Sequence, residues 1–187
     1  NTLVPLEIIF CFGAPEGSSL LKRSQNPKYL ETLHLSEPIF EGCEFSSPLI
    51  EFSTKLETKD KICTYKEAQK IAGMSNHEMI ALKETSKLIA MRLKDFLEGA
   101  EIKLWGGKLE FAFVPPVFEK ENREFMLVDS LGLDEMQLSY QGLSLTSQYL
   151  GKNQKKIMEE MYQSLAQHLA YHYWKVDFFE EAPSLSK

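Results

Sequence analysis

No run of apolar residues in this 187-residue chain approaches the ~18–20 needed to span a bilayer, so a helical membrane protein is not the expectation. Its first residues do not read as a signal peptide. Concentrated positive charge is also lacking. The formal net charge is −6, and a general grip on nucleic acid requires clustered Lys and Arg to displace counterions. Cysteine is sparse: Cys11, Cys43 and Cys63 form an odd set without metal-type spacing. That pattern suits reduced thiols in a cytoplasm better than a disulfide framework. Internal repeats and low-complexity stretches are absent as well. A composition 43% hydrophobic and 26% charged is that of an ordinary globular protein, long enough for one sizeable core or two small lobes.

The most informative segment is Lys108-Leu109-Glu110-Phe111-Ala112-Phe113. Strand alternation puts Lys108 and Glu110 on one face and Leu109, Phe111 and Phe113 on the other. After a loop containing Pro115 and Pro116, Phe125-Met126-Leu127-Val128-Asp129 reads as a second strand ending in a carboxylate. If the two strands pair, Lys108, Glu110 and Asp129 meet at one place. Hard oxygen ligands beside a lysine suit Mg²⁺ and a nucleotide polyphosphate, because Mg²⁺ keeps most of its waters and takes one or two carboxylates. The local pattern alone better suits a hairpin with a solvated charged face.

Elsewhere the chain alternates between strand and helix signals. Leu3 to Phe12 reads as strand, with Leu6, Ile8, Phe10 and Phe12 on one side. Gly13-Ala14-Pro15-Glu16-Gly17-Ser18-Ser19 reads as a loop whose hydroxyls could serve an anion, with Lys22 and Arg23 near; a plain turn before a short helix fits too. Residues 24–47 read as irregular. Pro48 to Leu56 reads as a strand carrying Glu51, Ser53 and Lys55 on one face. Thr64-x-x-Glu67 and Ser75-x-x-Glu78 are capping boxes, each predicting a helix start. Met79, Leu82, Ser86, Ile89, Leu93 and Phe96 predict a packing helix ended by Gly99. Ile102–Trp105 reads as strand with Trp105 in the core, and Gly106-Gly107 as a tight turn or a kink. A last helix is expected from about Lys155 to Trp174. His168 and His172 lie four apart on it, but without a third ligand no metal is assigned to them.

Together these segments resemble the phosphoribosylaminoimidazole-succinocarboxamide synthases, or SAICAR synthetases, of purine biosynthesis. Val4–Phe10 is similar to the family's strand after its hinge, and Gly17–Arg23 to its Gly-Ser loop. Glu51–Lys55 with Asp60 resembles its substrate-side strand, and Lys108–Phe111 with Val128–Ser130 its nucleotide and metal hairpin. The blocks span most of residues 3–148. The resemblance implies an α+β fold similar to an ATP-grasp lobe, an antiparallel sheet with packing helices, and a single lobe over 1–187 with a C-terminal helix at 154–175. It implies that a preceding lobe, with a Gly-Lys phosphate strand, is missing ahead of Asn1. It also implies a cytoplasmic ligase that uses ATP to join L-aspartate to carboxyaminoimidazole ribotide.

On that resemblance Glu110 and Asp129 hold Mg²⁺, and Lys108 meets phosphate or a substrate carboxylate. Lys55 and Asp60 act with Lys108 in catalysis, Ser18, Ser19 and Lys22 bind substrate, and Glu7 stands near the nucleotide. Homo-oligomers are common in the family, and the Leu- and Met-rich helix faces permit one here. Four positions depart from the family pattern. Cys11, Gln137 and Gly151 stand where arginines are expected, the last beside Lys152, and Gly106 where an aspartate is expected. Cys and Gln cannot reproduce the two-pronged, charge-assisted grip of arginine on phosphate or carboxylate. The alternatives to an active synthetase are therefore a non-catalytic relative that keeps the scaffold, or a ligase for a less anionic acceptor.

Overall fold

The computed structural model describes residues 2–33, 35–55, 61–114, 123–132, 134–145 and 152–174. Among the described residues seven antiparallel strands form one sheet: β1 (Thr2–Gly13), β2 (Glu44–Thr54), β3 (Ile62–Cys63), β4 (Ile102–Val114), β5 (Glu124–Val128), β6 (Met136–Tyr140) and β7 (Leu143–Leu145). Their order is β3-β2-β1-β4-β6-β7, and β5 also pairs with β4. The fold is thus α+β, as the family resemblance implies.

One edge of β4 is shared by two partners. β5 pairs with Glu110–Val114 and β6 with Ile102–Gly107, so the two part company beside Lys108 and Leu109. At that junction the backbone N–H of Lys108 donates to the carbonyl of Glu135, in the loop joining β5 to β6, at 2.8 Å. Of the turn or kink expected at Gly106-Gly107, no turn forms; β4 continues through both glycines, with a register shift against β6 between Leu104 and Gly106. Both glycines answer to close approach instead. A Cβ on Gly106 would lie 2.6 Å from the carbonyl oxygen of Phe10, and one on Gly107 would lie 2.8 Å from that of Glu135.

Even-numbered β1 residues Leu6, Ile8 and Phe10 and odd-numbered β4 residues Leu109 and Phe111 are buried on one side of the sheet. They share a core with Met79, Leu82, Ala90 and Leu97 of α4 (Asn76–Glu98). Burying such side chains contributes roughly 1.5–3 kcal/mol each, which makes this face the main source of stability. Both capping boxes form, opening α3 (Tyr65–Ala72) and α4. The predicted stripe holds through Ser86; beyond it Ala90 and Leu97 take the buried positions, while Ile89, Leu93 and Phe96 are only partly covered.

Residues 24–47 are more regular than their sequence suggests. After α1 (Ser19–Arg23), α2 spans Pro27–Thr32, with Asn26 accepting from the Lys28 N–H and proline in the first turn. A helix as short as α2 has no room for an amphipathic period, which hides it from pattern reading. β2 starts at Glu44 rather than Pro48, and Pro48 falls in the stretch where the register against β1 shifts. Trp105 is only half buried; its indole N–H donates to Ser139 Oγ at 3.0 Å and Lys103 covers its ring. The last helix, α5, runs Lys152–Leu169 and continues as a π-helical turn over Ala170–Trp174. No helix among the described residues is long and apolar enough to cross a membrane.

Candidate functional site

The opposite face of the sheet carries the polar residues. Register sets Glu7 between Ser53 and Glu110, Ile9 between Glu51 and Lys108, and Cys11 between Leu49 and Gly106. The Cys11 end of this face is covered by a second small core of Ala14, Leu20, Ile39 and Cys43, against which Tyr29 and Leu49 pack. Among the described residues the Glu7 end is not covered in that way, and there the charges collect.

A cavity of about 170 Å³ lies at the junction where β5 and β6 leave β4, lined among others by Glu7, Lys108, Glu110, Asp129 and Glu135. The hairpin register explains the meeting: Glu110 is directly opposite Val128, so Asp129 falls beside it. Lys108 Nζ is 3.0 Å from Glu7 Oε2, a buried oxygen that accepts no well-formed hydrogen bond among the described residues. Lys55, at the end of β2, reaches over β1 to pair with Glu110. Asp129 has φ of 73°, an αL conformation that aspartate tolerates through local bonding; here its Oδ1 accepts from the Ser130 N–H at 2.8 Å. Backbone held in such a region marks a place where surrounding structure fixes a side chain.

Together with Asp134, five carboxylates line this cavity, and Lys108 and Lys55 are the ammonium groups paired within the cluster. The surplus of negative charge and the all-oxygen donor set fit a hard divalent cation. Among the described residues no three His, Cys, Asp or Glu side chains converge on one metal position. A cation here would therefore take at most two carboxylates from the described residues and complete its shell with water or phosphate oxygens. His168 and His172 stack on each other with ring centroids 4.8 Å apart.

A second cavity of about 160 Å³ adjoins the first, sharing Lys108, Asp134 and Glu135 with it. Its other wall includes Cys11, Ser18, Ser19, Arg23 and Gln137. Ser18 Oγ accepts from the Leu20 N–H at 3.3 Å and caps α1. Ser19 Oγ accepts from Arg23 Nη1 at 2.7 Å. Arg23 Nη2 donates to Glu51 at 2.6 Å, Arg23 Nε to the Tyr29 hydroxyl at 3.2 Å, and that hydroxyl donates to the other oxygen of Glu51. Glu51 is 5% exposed, so its charge is tolerable only because both oxygens are satisfied. Burial, and then the Glu51 charge, push the Tyr29 phenol up and hold it protonated. Burial, with a smaller contribution from Glu51, pushes the Cys11 thiol up to about 12. Cys11 is thus a neutral wall.

Of the residues expected to act, Glu7, Lys108, Glu110 and Asp129 line one cavity, and Lys55 joins them through Glu110. Ser18 and Ser19 line the other, while Lys22 is exposed on α1 and lines neither. Asp60 and Gly151 lie outside the described residues, as does the side chain of Lys152. Sequence reasoning missed Glu51 and Tyr29 as partners of Arg23, because they come from positions 28 and 6 residues away with no spacing rule to link them. It also missed Arg123, which forks onto Glu78 at 2.7 and 3.0 Å, donates to the Gly73 carbonyl, and stacks on Phe113.

Over residues 2–175 the chain matches the family model described as SAICAR synthetase. It is 33% identical over 157 residues to a curated protein of Archaeoglobus fulgidus named "Putative phosphoribosylaminoimidazole-succinocarboxamide synthase", across 83% of this chain and 46% of that one. The chain therefore spans about half the length of that relative. Among solved structures it superposes on the phosphoribosylaminoimidazole-succinocarboxamide synthase of Ehrlichia chaffeensis with a TM-score of 0.62 at 21% identity, covering 90% of this chain and 64% of the other. On a SAICAR synthetase in complex with ADP the TM-score is 0.64 at 24% identity, covering 88% and 64%. These two likenesses establish a shared fold.

Proposed function

From the premise that this chain belongs to the SAICAR synthetase family, we propose that it forms the second lobe of an ATP-dependent carbon–nitrogen ligase of purine biosynthesis. The substrates on this reading are ATP, carboxyaminoimidazole ribotide and L-aspartate. The observation that carries it is the meeting of Lys108, Glu110 and Asp129 in one cavity that shares a wall with the Ser18–Ser19 cavity. The neighbour bound to ADP supports a nucleotide on this fold. Leu88 and Met91 of α4 are exposed and offer a homo-oligomer an apolar face.

In the reaction, the ribotide carboxylate takes the γ-phosphoryl group of ATP, giving an acyl phosphate and ADP. The aspartate amine then attacks the acyl carbon, an amide forms, phosphate leaves and the amine gives up a proton. Mg²⁺ held by Glu110 and Asp129 would supply charge neutralisation at the polyphosphate. Glu7 keeps the Lys108 ammonium at the boundary of the two cavities, where it faces the nucleotide on one side and the acceptor carboxylate on the other. Ser18 and Ser19 donate to the acceptor's oxygens, and Lys55 acts from the Glu110 side. Fixing both reactants across a common wall converts a bimolecular encounter into a positioned one.

The test is product formation by the full-length protein given ATP, Mg²⁺, L-aspartate and the ribotide. Succinocarboxamide together with stoichiometric ADP supports the ligase. ADP binding without ribotide binding at millimolar concentration would leave the scaffold a non-catalytic relative.

A further inference from the structure

Arg23 lies on the wall of the acceptor cavity, yet its charge does not face that cavity unopposed. One edge of its guanidinium is closed into a ring with Tyr29 and Glu51: Nη2 to one carboxylate oxygen, Nε to the phenol oxygen, and the phenol hydrogen to the other carboxylate oxygen. Arg23 and Glu51 together are electrically neutral, so this pair has little long-range pull on an anion. What the ring supplies is direction. A planar guanidinium held at two of its three nitrogens has a fixed third nitrogen, and Nη1 points at Ser19 Oγ.

Ser19 and Arg23 are four residues apart on α1 and so share its face. With its oxygen accepting from a cation, the Ser19 hydroxyl has its hydrogen left to give, and among the described residues no protein group receives it. A charge-assisted bond to the oxygen also polarises the O–H and makes it a better donor. The cavity wall at Ser19 is therefore a donor of set orientation, matched to a carboxylate or phosphate oxygen and mismatched to an N–H.

We propose that Arg23, locked by Glu51 and Tyr29, is a positioning residue that orients the Ser19 hydroxyl as a hydrogen-bond donor to an anionic oxygen of the acceptor. This rests on the ligase reading, and it assigns Arg23 an action through Ser19 rather than direct contact.

The experiment compares the full-length wild-type protein with Ser19→Ala, Arg23→Lys, the double variant and Tyr29→Phe. Lysine keeps the charge and cannot hold Glu51, Tyr29 and Ser19 at once. Each of the first two changes should raise acceptor KM about tenfold, the loss of one charge-assisted hydrogen bond, with ATP KM within about twofold. The double variant should be no worse than the worse single one, because both remove the same bond. Tyr29→Phe, which leaves the Arg23–Glu51 pair in place, should raise acceptor KM about threefold. Multiplicative effects in the double variant, or an unchanged acceptor KM in Arg23→Lys, would overturn the inference. So would a parallel rise in ATP KM with a lowered melting temperature, which would mean a structural tie alone. If the wild type forms no product, the ligase reading fails separately, and calorimetric titration of the ribotide into the same four variants reads the same comparison as Kd. Absence of ribotide binding by the wild type would overturn both.

Discussion

Replacing Arg123 with alanine should cost stability that depends on pH in a specific way. Arg123 grips Glu78 with two nitrogens, and Glu78 also accepts from the Ser75 N–H at the start of α4. The Arg123 hydrogen bond, assisted by those from Ser75 and opposed by burial, lowers the Glu78 carboxyl from its usual value of 4.5 to about 2. A depression of that size corresponds to at most about 3 kcal/mol of differential stabilisation, and solvent access to the arginine reduces it to roughly 1–2 kcal/mol. Because the folded pKa is the lower one, the contribution is fully present above the unfolded value near 4.5 and is lost as pH falls towards 2. Urea unfolding of wild type and Arg123→Ala at pH 7, 4 and 2.5 measures it. The variant should be about 1–2 kcal/mol less stable at pH 7, with the gap narrowing below pH 4.5. A residue of a few tenths of a kcal/mol should persist from stacking on Phe113. A gap independent of pH would refute the charge argument and leave stacking as the whole effect.

Other expectations follow from the two cavities. Glu110→Gln or Asp129→Asn should lower kcat/KM for ATP about a hundredfold and raise the Mg²⁺ concentration needed for half-maximal rate; unchanged Mg²⁺ dependence in both would remove them from the metal site. Replacing Gly106 by aspartate should destabilise by about 1–3 kcal/mol in thermal unfolding, since its Cβ would meet the Phe10 carbonyl oxygen. A neutral melting shift would mean that β1 and β4 separate easily. The Cys11 thiol, raised to about 12, should react with iodoacetamide at pH 8 at least about a hundredfold more slowly than a free peptide thiol, as mapped by mass spectrometry. Rapid labelling at Cys11 would contradict the raised thiol.

Much of this architecture can be read from local pattern. Period-two alternation at 108–113 puts Lys108 and Glu110 on one face, and the capping boxes at Thr64 and Ser75 give the starts of α3 and α4. Three features are beyond such reading. The helix α2 is six residues long, too short to show a period, whereas α1 is the short helix that fits after the 13–19 turn. Gly106 and Gly107 signal a turn or a kink by residue type, whereas in the fold they let Phe10 of β1 and Glu135 approach β4 closely. The Glu51 and Glu78 networks join residues 28 and 45 positions apart, and only the tertiary fold brings them together. Glu51 reads as one polar residue in an alternating strand, with nothing local to distinguish a buried charge from a solvated one.

Lys108, Asp134 and Glu135 belong to both cavities, and the backbone of one is tied to that of another across the gap between β5 and β6. Such a party wall has no private side. A substitution there reaches two tenants together, so variation at these three positions would retune a pair of affinities in concert rather than one at a time.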